Sequence, residues 1–290
     1  MQDYNRICKV TVIITCYNHG SFISEAVSSI LNQTFQDFEI IIINDGSTDT
    51  DTINILNDLH HPKIKMIHQE NTGPVGARNK GIRSSKSEYI LPLDADDYFE
   101  KTFLEKAVGI LNDNPEIGVV SSYIRLFGDI NITVKPKGGY ASDFLIQPNA
   151  CGSSLFRKSC WEQAGGYNPN MNRGYEDWDL WLGITKHGWK VAVIEEELFF
   201  YRRMFKNSRD VIADKSRPQL IKQLIENHIE VFRENILQYA FDKENEILRL
   251  KNESLESKKA IYRSLPYKTG KIFLYPVRLF KKLFWGATKT

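Results

Sequence analysis

The sequence has few cysteines, no long apolar run and almost no net charge, and each of these absences excludes a class of protein. Its four cysteines form no Cys-x-x-Cys pair in 290 residues, which argues against a disulfide framework and against a thiolate zinc or redox site. No segment approaches the roughly 20 apolar residues of a membrane-spanning helix. A formal charge of +2 gives no general attraction to nucleic acid, so we expect no nucleic-acid partner.

Leader and nucleotide-loop motifs are also missing. The first residues lack the basic and apolar segments of a secretory signal, so we expect a cytoplasmic protein. The segment Cys16–Gly20, after the first predicted strand, lacks the Gly-x-Gly-x-x-Gly of dinucleotide-dependent oxidoreductases. It also lacks the Gly-rich, Arg- or Lys-bearing phosphate loop of a sugar nucleotidyltransferase, which makes that enzyme class the weaker alternative.

Short β-branched runs alternate with amphipathic ones from Val10 to about Phe127, which is typical of βαβ units. This predicts an α/β fold with a mostly parallel central sheet. The uninterrupted Ile40–Ile43 indicates a strand that is covered on both faces. The predicted strands are Val10–Thr15, Phe38–Asn44, Ile64–His68, Tyr89–Leu93 and Ile117–Tyr123, and the predicted helices span about 21–33, 50–59, 75–84 and 101–112.

The later part of the chain predicts a second half and a helical extension. Residues 149–203 hold a Gly- and aromatic-rich segment, an acidic helix start and a predicted strand from Trp189 to Tyr201. Apolar residues then recur at helical spacing from Pro218 to about Ser257, which predicts one or two long helices. We therefore predict one domain over 1–210, with a donor half (9–127) and an acceptor half (149–203), and a helical, basic extension over 211–290.

Two aspartates, Asp94 and Asp96, follow a predicted strand and precede a predicted helix. Residues two apart in an extended segment point to the same side, so both carboxylates can serve one site. Mg²⁺ and Mn²⁺ bind through one or two carboxylates together with phosphate oxygens of a substrate. The alternative is structural, because an aspartate after a strand often caps the next helix or makes a turn.

Polar residues follow the first two predicted strands, where ligands bind in open α/β sheets. Asp45 could accept a hydrogen bond from the imide of a uracil-like base, and Tyr17 could stack on that base. Both have a structural alternative, since Asp-Gly is a common turn and a tyrosine often simply packs. Arg78, in the first turns of a later helix, could orient Asp45 or the base, or it could be a solvated surface residue.

The segment Gly174–Trp181 places two acidic residues at a predicted helix start. The helix dipole favours acidic residues there without any function. The functional interpretation makes Asp177 a general base that takes the proton of an acceptor hydroxyl, with Glu176 as the second candidate. Trp178 could then stack against an apolar sugar face, and Tyr175 lies beside it.

With these motifs in this order, the sequence resembles the inverting glycosyltransferases of family 2, which have the GT-A fold. The resemblance covers about Lys9 to Arg203 and rests on Thr15–Asn18, Asn44–Ser47, Ala77–Asn79, Asp94–Asp97 and Glu176–Trp178. It implies Asp177 as the base, Asp94 and Asp96 at the ribose and at a Mn²⁺ or Mg²⁺ ion, and Trp178 and Tyr175 at the acceptor. The nucleotide-binding residues that it implies are Thr15, Tyr17, Asn18, Asp45, Gly46, Ser47, Arg78, Asp94 and Ala95.

Two positions depart from the family pattern. Family members often have a proline where this sequence has Thr15, and a histidine shortly after the final strand. No histidine follows Tyr201–Met204 closely here. We therefore expect Arg202 or Arg203 to contact the diphosphate in its place.

The C-terminal segment Tyr267–Phe284 alternates basic and apolar residues. This pattern suits a helix on the anionic inner face of the plasma membrane, where a lipid-linked acceptor would be found, or a helix packed on the catalytic domain with a solvated basic face. The helix predicted over Leu220–Ile236 could serve a homodimer.

The expected function is transfer of a sugar, with inversion, from a nucleotide-sugar such as a UDP-sugar to an acceptor hydroxyl in cell-surface polysaccharide or lipid-linked glycan synthesis. The alternative is a non-catalytic nucleotide-sugar-binding protein, although binding alone needs no base at Glu176 or Asp177.

Overall fold

The computed structural model describes residues 7–204, 213, 215–264 and 269. The chain divides into two compact units, Met1–Asn235 and Ile236–Thr290. The helices and strands are β1 Val10–Cys16, α1 Gly20–Leu31, β2 Phe38–Asp45, α2 Thr50–Asp58, β3 Ile64–Gln69, α3 Gly73–Ser84, β4 Tyr89–Asp94, β5 Tyr98–Phe99, α4 Phe103–Asp113, β6 Ile117–Gly128, β7 Ile132–Val134, β8 Leu155–Arg157, α5 Lys158–Gln163, α6 Glu176–Thr185, β9 Lys190–Arg203, α7 Arg217–Asn227, α8 Ile229–Glu234 and α9 Ile236–Arg263.

The first half of the larger unit is a parallel sheet with the strand order β3-β2-β1-β4. All seven residues of β1 are buried, because the sheet is covered on both faces and the strand lies in its middle. The helices α1, α2 and α3 connect these strands. The carboxyl ends of β1, β2 and β4 therefore meet at one edge of the sheet, as the sequence predicts.

The second half continues the same sheet with the order β8-β6-β9-β5 after β4. The short strand β8 pairs antiparallel with both β4 and β6, and β6 pairs parallel with β9. The predicted α/β fold with a mostly parallel sheet is confirmed. The sequence analysis missed β5, β7 and β8, because strands of two or three residues show no periodicity.

The strand ends differ from the predicted ones in an informative way. Strands β1, β2 and β4 each extend one residue further, to Cys16, Asp45 and Asp94. Asp45 and Asp94 are thus part of the hydrogen-bonded sheet and not of a loop. Their backbones are fixed by the strand pairing, which limits where their carboxylates can point.

The helical region forms three helices, α7 to α9, where the sequence predicted one or two. The breaks fall at His228 and Asn235, which end α7 and α8. Helices α7 and α8 lie within the larger compact unit, and the predicted domain boundary near residue 210 stays a prediction. Helix α9, in the smaller unit, has no buried residue in its described length.

The basic segment Tyr267–Phe284 lies outside the described residues, apart from Thr269. Its two predicted roles are therefore not tested here. Among the described helices, none combines the length and the apolar character that crossing a bilayer requires.

Helix α1 approaches α2 through a glycine. The backbone N–H of Gly20 donates to Thr52 Oγ1 at 2.9 Å, and Thr52 is completely buried. A Cβ atom at Gly20 would lie 2.6 Å from the Cα of Thr52. Because that atom belongs to the backbone, the two helices would have to move apart to make room.

We predict that Gly20→Ala lowers the free energy of unfolding by about 1–3 kcal/mol, the usual cost of overpacking a tight core. The matched control is Gly109→Ala in α4, where an added Cβ meets no atom within 4 Å. Alanine there should stabilise the protein by up to about 1 kcal/mol, because it favours the helix. Urea titration followed by far-UV circular dichroism measures both, and a Gly20→Ala variant as stable as the control would contradict this account.

Candidate active site

The sequence-predicted residues of the first half gather at the carboxyl edge of the parallel sheet. Thr15 Oγ1, at the end of β1, donates to Asp94 Oδ1 at 3.1 Å, at the end of β4. The backbone N–H of Asn18 donates to Ser47 Oγ at 3.1 Å, which joins the loops after β1 and β2. Three motifs that are far apart in sequence therefore meet at this edge of the sheet, which we call the crevice.

Asp45 is almost completely buried at the end of β2, and one of its oxygens is held from β3 and the loop that follows it. Its Oδ1 accepts from Gln69 Nε2 at 2.7 Å and from the backbone N–H of Thr72 at 2.9 Å. The sequence analysis missed Gln69 and Thr72. Gln69 faces Asp45 in the β2–β3 register, which only the strand pairing reveals.

Asn18 and Gly46 shape the loops of the crevice. Asn18 adopts a left-handed backbone with φ of 56°, and its Oδ1 accepts from the backbone N–H groups of Thr48 and Asp49 at 2.9 and 3.0 Å. Gly46 has φ of 72°, and a Cβ there would lie 2.7 Å from the backbone nitrogen of Asn71. The side chain of Asn18 thus organises the loop, while its predicted nucleotide contact stays a prediction.

Tyr17 is the large apolar residue that this edge exposes to solvent. Its ring is 46% exposed, so it is open to a planar partner. The neighbouring predicted residue Ala95 is buried, and its methyl group packs in the core. A contact from Ala95 to a nucleotide would therefore have to come from its backbone.

Arg78 is the centre of the site's charge network. Its Nη2 donates to both carboxylate oxygens of Asp94, at 2.7 and 2.9 Å, and its Nη1 donates to Glu176 at 3.0 Å. Burial disfavours the guanidinium charge, but Asp94 and Glu176 more than offset this effect and raise the pKa of Arg78. Of the roles considered for Arg78, contact with Asp45 is wrong, because the guanidinium pairs with Asp94 and Glu176 instead, and contact with the base stays a prediction. A surface position is wrong as well.

The acidic motif at the end of β4 separates into three environments. Asp94 pairs with Arg78, whereas the Asp96 side chain is 20% exposed and lies 3.8 Å from His19 Nδ1. Burial and the charge of Asp94 raise the pKa of Asp96. Asp97 is buried and accepts the backbone N–H of Arg202 at 2.8 Å, so it fastens the end of β9 to this motif.

A divalent cation fits the acidic motif through Asp96. No group of three or more His, Cys, Asp or Glu side chains in the described ranges is arranged to hold a metal ion. A site of one or two carboxylates that is completed by substrate phosphate oxygens has fewer protein ligands than such a group, and the partly exposed Asp96 could supply one of them. Burial is the main cause of the raised pKa of Asp96, and the neighbouring charge of Asp94, which a cation would offset, adds to it.

Asp177 lies at the start of α6, beside the Arg78 network. Burial raises the pKa of Asp177 to about 6, and the neighbouring charge of Glu176 contributes. Its Oδ1 accepts the backbone N–H of Trp178 at 2.8 Å, and a Cβ at Gly152 would lie 3.0 Å from its Oδ2. A carboxylate with such a pKa can take up a proton near neutral pH. Gly152, which the sequence analysis missed, leaves room beside it.

Trp178 does not face the crevice. Its side chain is completely buried, and its Nε1 donates to the Phe144 carbonyl oxygen at 2.6 Å. The expected stacking of Trp178 on a sugar is therefore wrong for this conformation, because the indole fills the core under α6. Tyr175, the residue before α6, is only partly buried and stays a predicted acceptor contact.

Arg202, at the end of β9, has several contacts around the acidic motif. Arg202 pairs with Glu25, and its Nε donates to the Asp96 carbonyl oxygen at 2.9 Å. Its guanidinium also packs over the rings of Phe22 and Phe127, at 4.7 and 4.4 Å from their centroids. Arg202 thus lies beside the acidic motif, and a diphosphate contact from Arg202 or Arg203 stays a prediction.

Comparison with known proteins places this arrangement in a family. A family model described as Glycosyl transferase family 2 matches residues 11–167. Uncharacterized glycosyltransferases of three Rickettsia species match 62–66% of this chain, which spans only 27–32% of their length. A chondroitin synthase of Escherichia coli is 29% identical over 189 residues, which are 63% of this chain and 27% of that protein.

Two solved structures share the fold. Staphylococcus aureus TarS in complex with UDP-GlcNAc is 16% identical, with a TM-score of 0.59 over 77% of this chain and 73% of that one. The mannosyltransferase PcManGT of Pyrobaculum calidifontis in complex with GDP-Man and Mn²⁺ is 18% identical, with a TM-score of 0.58 over 97% of this chain and 88% of that one. The GT-A type fold that the sequence predicts is therefore confirmed.

The family model covers more than half of the 290 residues, and its matched range contains the Asp45, Arg78 and Asp94–Asp97 motifs whose convergence is described above. The chain belongs to glycosyltransferase family 2.

Proposed function

We propose that this protein is an inverting, metal-dependent glycosyltransferase that moves a sugar from a UDP-sugar to an acceptor hydroxyl. The observation that carries this proposal is the pairing of two features through Arg78. One is a partly buried base candidate, Asp177, whose pKa is raised to about 6, and the other is the acidic motif that contains Asp96. A protein that only binds a nucleotide-sugar needs the acidic motif but does not need a base.

The donor base would bind between Tyr17 and Asp45. Asp45 Oδ1 is held by Gln69 and Thr72, whereas its Oδ2 accepts no hydrogen bond from the described part of the chain. A carboxylate oxygen in this position suits the imide N–H of uracil, on which Tyr17 would stack. The UDP-GlcNAc complex of TarS, which shares the fold, supports the choice of a UDP-sugar.

Asp96 would hold the divalent cation, with Asp94 beside it at the ribose. Mn²⁺ or Mg²⁺ in that position supplies charge neutralisation for the diphosphate leaving group. The Mn²⁺ in the PcManGT structure supports this assignment. Arg202, whose Nε donates to the Asp96 carbonyl oxygen, would be the arginine that contacts the diphosphate.

Asp177 would take the proton of the acceptor hydroxyl. The acceptor oxygen forms a bond to the anomeric carbon while the bond from that carbon to the phosphate oxygen breaks, and the nucleotide diphosphate leaves with that electron pair. Because the attack comes from the face opposite the leaving group, the anomeric configuration inverts. Burial keeps Asp177 basic enough for this step near neutral pH.

The acceptor would be a growing polysaccharide or a lipid-linked glycan. The E. coli relative is named for chondroitin synthesis, which supports a polysaccharide product. The basic and apolar pattern of Tyr267–Phe284 suits a membrane surface that carries a lipid-linked acceptor. A homodimer through the Leu220–Ile236 region stays a further proposal.

Asp177→Asn should abolish sugar transfer while it preserves donor binding. The amide keeps the size of the side chain but cannot accept a proton, so we expect UDP release from a panel of UDP-sugars to fall by at least about 100-fold. Stabilisation by UDP with Mn²⁺ should stay as in the wild type. The control is Asp113→Asn at the exposed end of α4, which should be fully active. Normal turnover in Asp177→Asn would show that another group is the base, and no turnover in the wild type would indicate a protein that only binds.

Asp96→Ala should remove the metal-dependent part of donor binding. We expect wild-type protein to be stabilised by UDP only with Mn²⁺, by about 2.7 kcal/mol at 100 times the dissociation constant. Thermal unfolding with UDP, GDP, dTDP and CDP, each with and without Mn²⁺, measures this effect. Asp113→Ala is the control. If the manganese-dependent shift persists in Asp96→Ala, the metal binds at another site. If the wild type shows no shift with any nucleotide, the protein has no working donor site.

The rate should depend on pH through Asp177. The base must be deprotonated, and its pKa of about 6 lies above the ordinary value for aspartate, so protonation begins at a higher pH than usual. We expect kcat to be half-maximal near pH 6 and, well below pH 6, to fall by about tenfold for each unit by which the pH is lowered. A profile that stays flat down to pH 5 would show that the base has an ordinary pKa.

A further inference from the structure

Helix α7 contacts the chain on both sides of Asp177. Its first residue, Arg217, donates through Nη1 to the hydroxyl oxygen of Tyr175 at 2.7 Å. Its last residue, Asn227, donates through Nδ2 to Asp179 Oδ1 at 2.7 Å, and His228 Nε2 lies 3.1 Å from the same oxygen. Residues two positions before and two positions after Asp177 are thus both held by one helix and the residue that follows it.

The hydrogen bond from Arg217 is made to a residue, Tyr175, whose backbone is strained. Tyr175 has φ of 62° and ψ of 16°, in the left-handed region, which costs a residue with a side chain about 1–3 kcal/mol. This turn sets the direction in which α6 begins, and Glu176 and Asp177 are the first residues of that helix. Before it, Gly174 has φ of 129°, and a Cβ there would lie 2.7 Å from the Cβ of Ala213.

The contact at Asp179 compensates a buried carboxylate. Asp179 is 5% exposed and His228 is 4% exposed, so neither side chain has ready access to water. A buried carboxylate needs hydrogen-bond donors, and Asn227 and His228 supply them from the end of α7. The first turn of α6 therefore depends on α7 and His228 for the hydrogen bonds of its buried carboxylate.

The three residues that contact Tyr175 and Asp179 are not part of the proposed nucleotide-sugar site. Arg217, Asn227 and His228 follow the last strand of the sheet and lie well beyond residue 167, where the match to the family model ends. A further ion pair, Lys186 to Glu230 at 3.0 Å, joins the residue after α6 to α8. The contacts thus run from the start of α6 to its end.

We propose that helix α7 is a brace that positions the general base, with Arg217, Asn227 and His228 as positioning residues that act through Tyr175 and Asp179. This inference rests on the proposed role of Asp177. It extends the catalytic unit to the end of α8, and it makes the orientation of Asp177 depend on residues that touch neither donor nor metal.

The test removes one donor from the brace and leaves the apolar stem in place. Arg217→Met loses the hydrogen bond to Tyr175, Arg217→Lys keeps a donor, and Arg233→Met in α8 is the exposed control. A carboxyl ¹³C NMR titration, with Asp177→Asn to identify the resonance, follows the pKa of Asp177 without any substrate. We expect wild type, Arg217→Lys and Arg233→Met to titrate near 6, and Arg217→Met to titrate lower, because a partly buried base that loses its fixed position becomes more exposed to water.

Turnover provides the second readout. We expect UDP release from a panel of UDP-sugars to fall by about 10- to 100-fold in Arg217→Met, the scale of a misplaced catalytic group, with unchanged stabilisation by UDP and Mn²⁺. In an Asp177→Asn background, Arg217→Met should cause no further loss, because both changes act through one group. Asn227→Leu tests the other end of the brace in the same way.

The outcomes separate the two proposals. If Arg217→Met titrates and turns over like the wild type while Asp177→Asn is inactive, the brace is wrong and the base assignment stands. A lower thermal midpoint with unchanged kcat in Arg217→Met also overturns the brace, since it shows a purely structural contact. If Asp177→Asn turns over normally, the proposed function has failed, and the titration still decides whether the brace orients Asp177.

Discussion

The ion pairs of Arg78 with Asp94 and Glu176 are the interaction on which the active site depends. The guanidinium is 9% exposed, and it joins the end of β4 to the start of α6. Removing one partner of a buried ion pair leaves the other charge uncompensated, at a cost of about 3–5 kcal/mol. With the guanidinium present, two carboxylates can stay ionised next to Asp96 and Asp177. The end of β4 and the start of α6 are therefore coupled by one cation.

The carboxylates that are crowded around Arg78 have different environments, which suit different roles. Asp94 and Glu176 both pair with Arg78, and Asp97 is buried and fastens β9. Asp96, partly exposed, is the member that suits a cation, and Asp177, with a raised pKa, suits proton transfer. Environments that push the pKa values of neighbouring acids apart are a common way to obtain different chemistry from the same side chain. In the brace that we propose, α7 would hold the last of these groups in place.

Several residues have partners that differ from the expected ones, and in each case the reason is tertiary. The motif of Arg78 follows that of Asp45 along the chain, but its guanidinium pairs with the carboxylates of Asp94 and Glu176. Trp178 belongs to a motif next to the base, yet its indole fills the core because α6 packs on the Phe144 segment. Gln69 has no motif, and it holds Asp45 because β3 pairs with β2 in that register.

The sequence by itself determined the α/β class, the parallel strands and the edge at which the motifs meet. These features follow from local hydrophobic periodicity and from the rule that parallel strands present their carboxyl ends together. Only the tertiary structure decided which carboxylate pairs with Arg78, which one is left to suit a metal, and which helix contacts the chain around Asp177. Those outcomes depend on burial and on distances between residues up to 98 positions apart, and no local pattern carries that information.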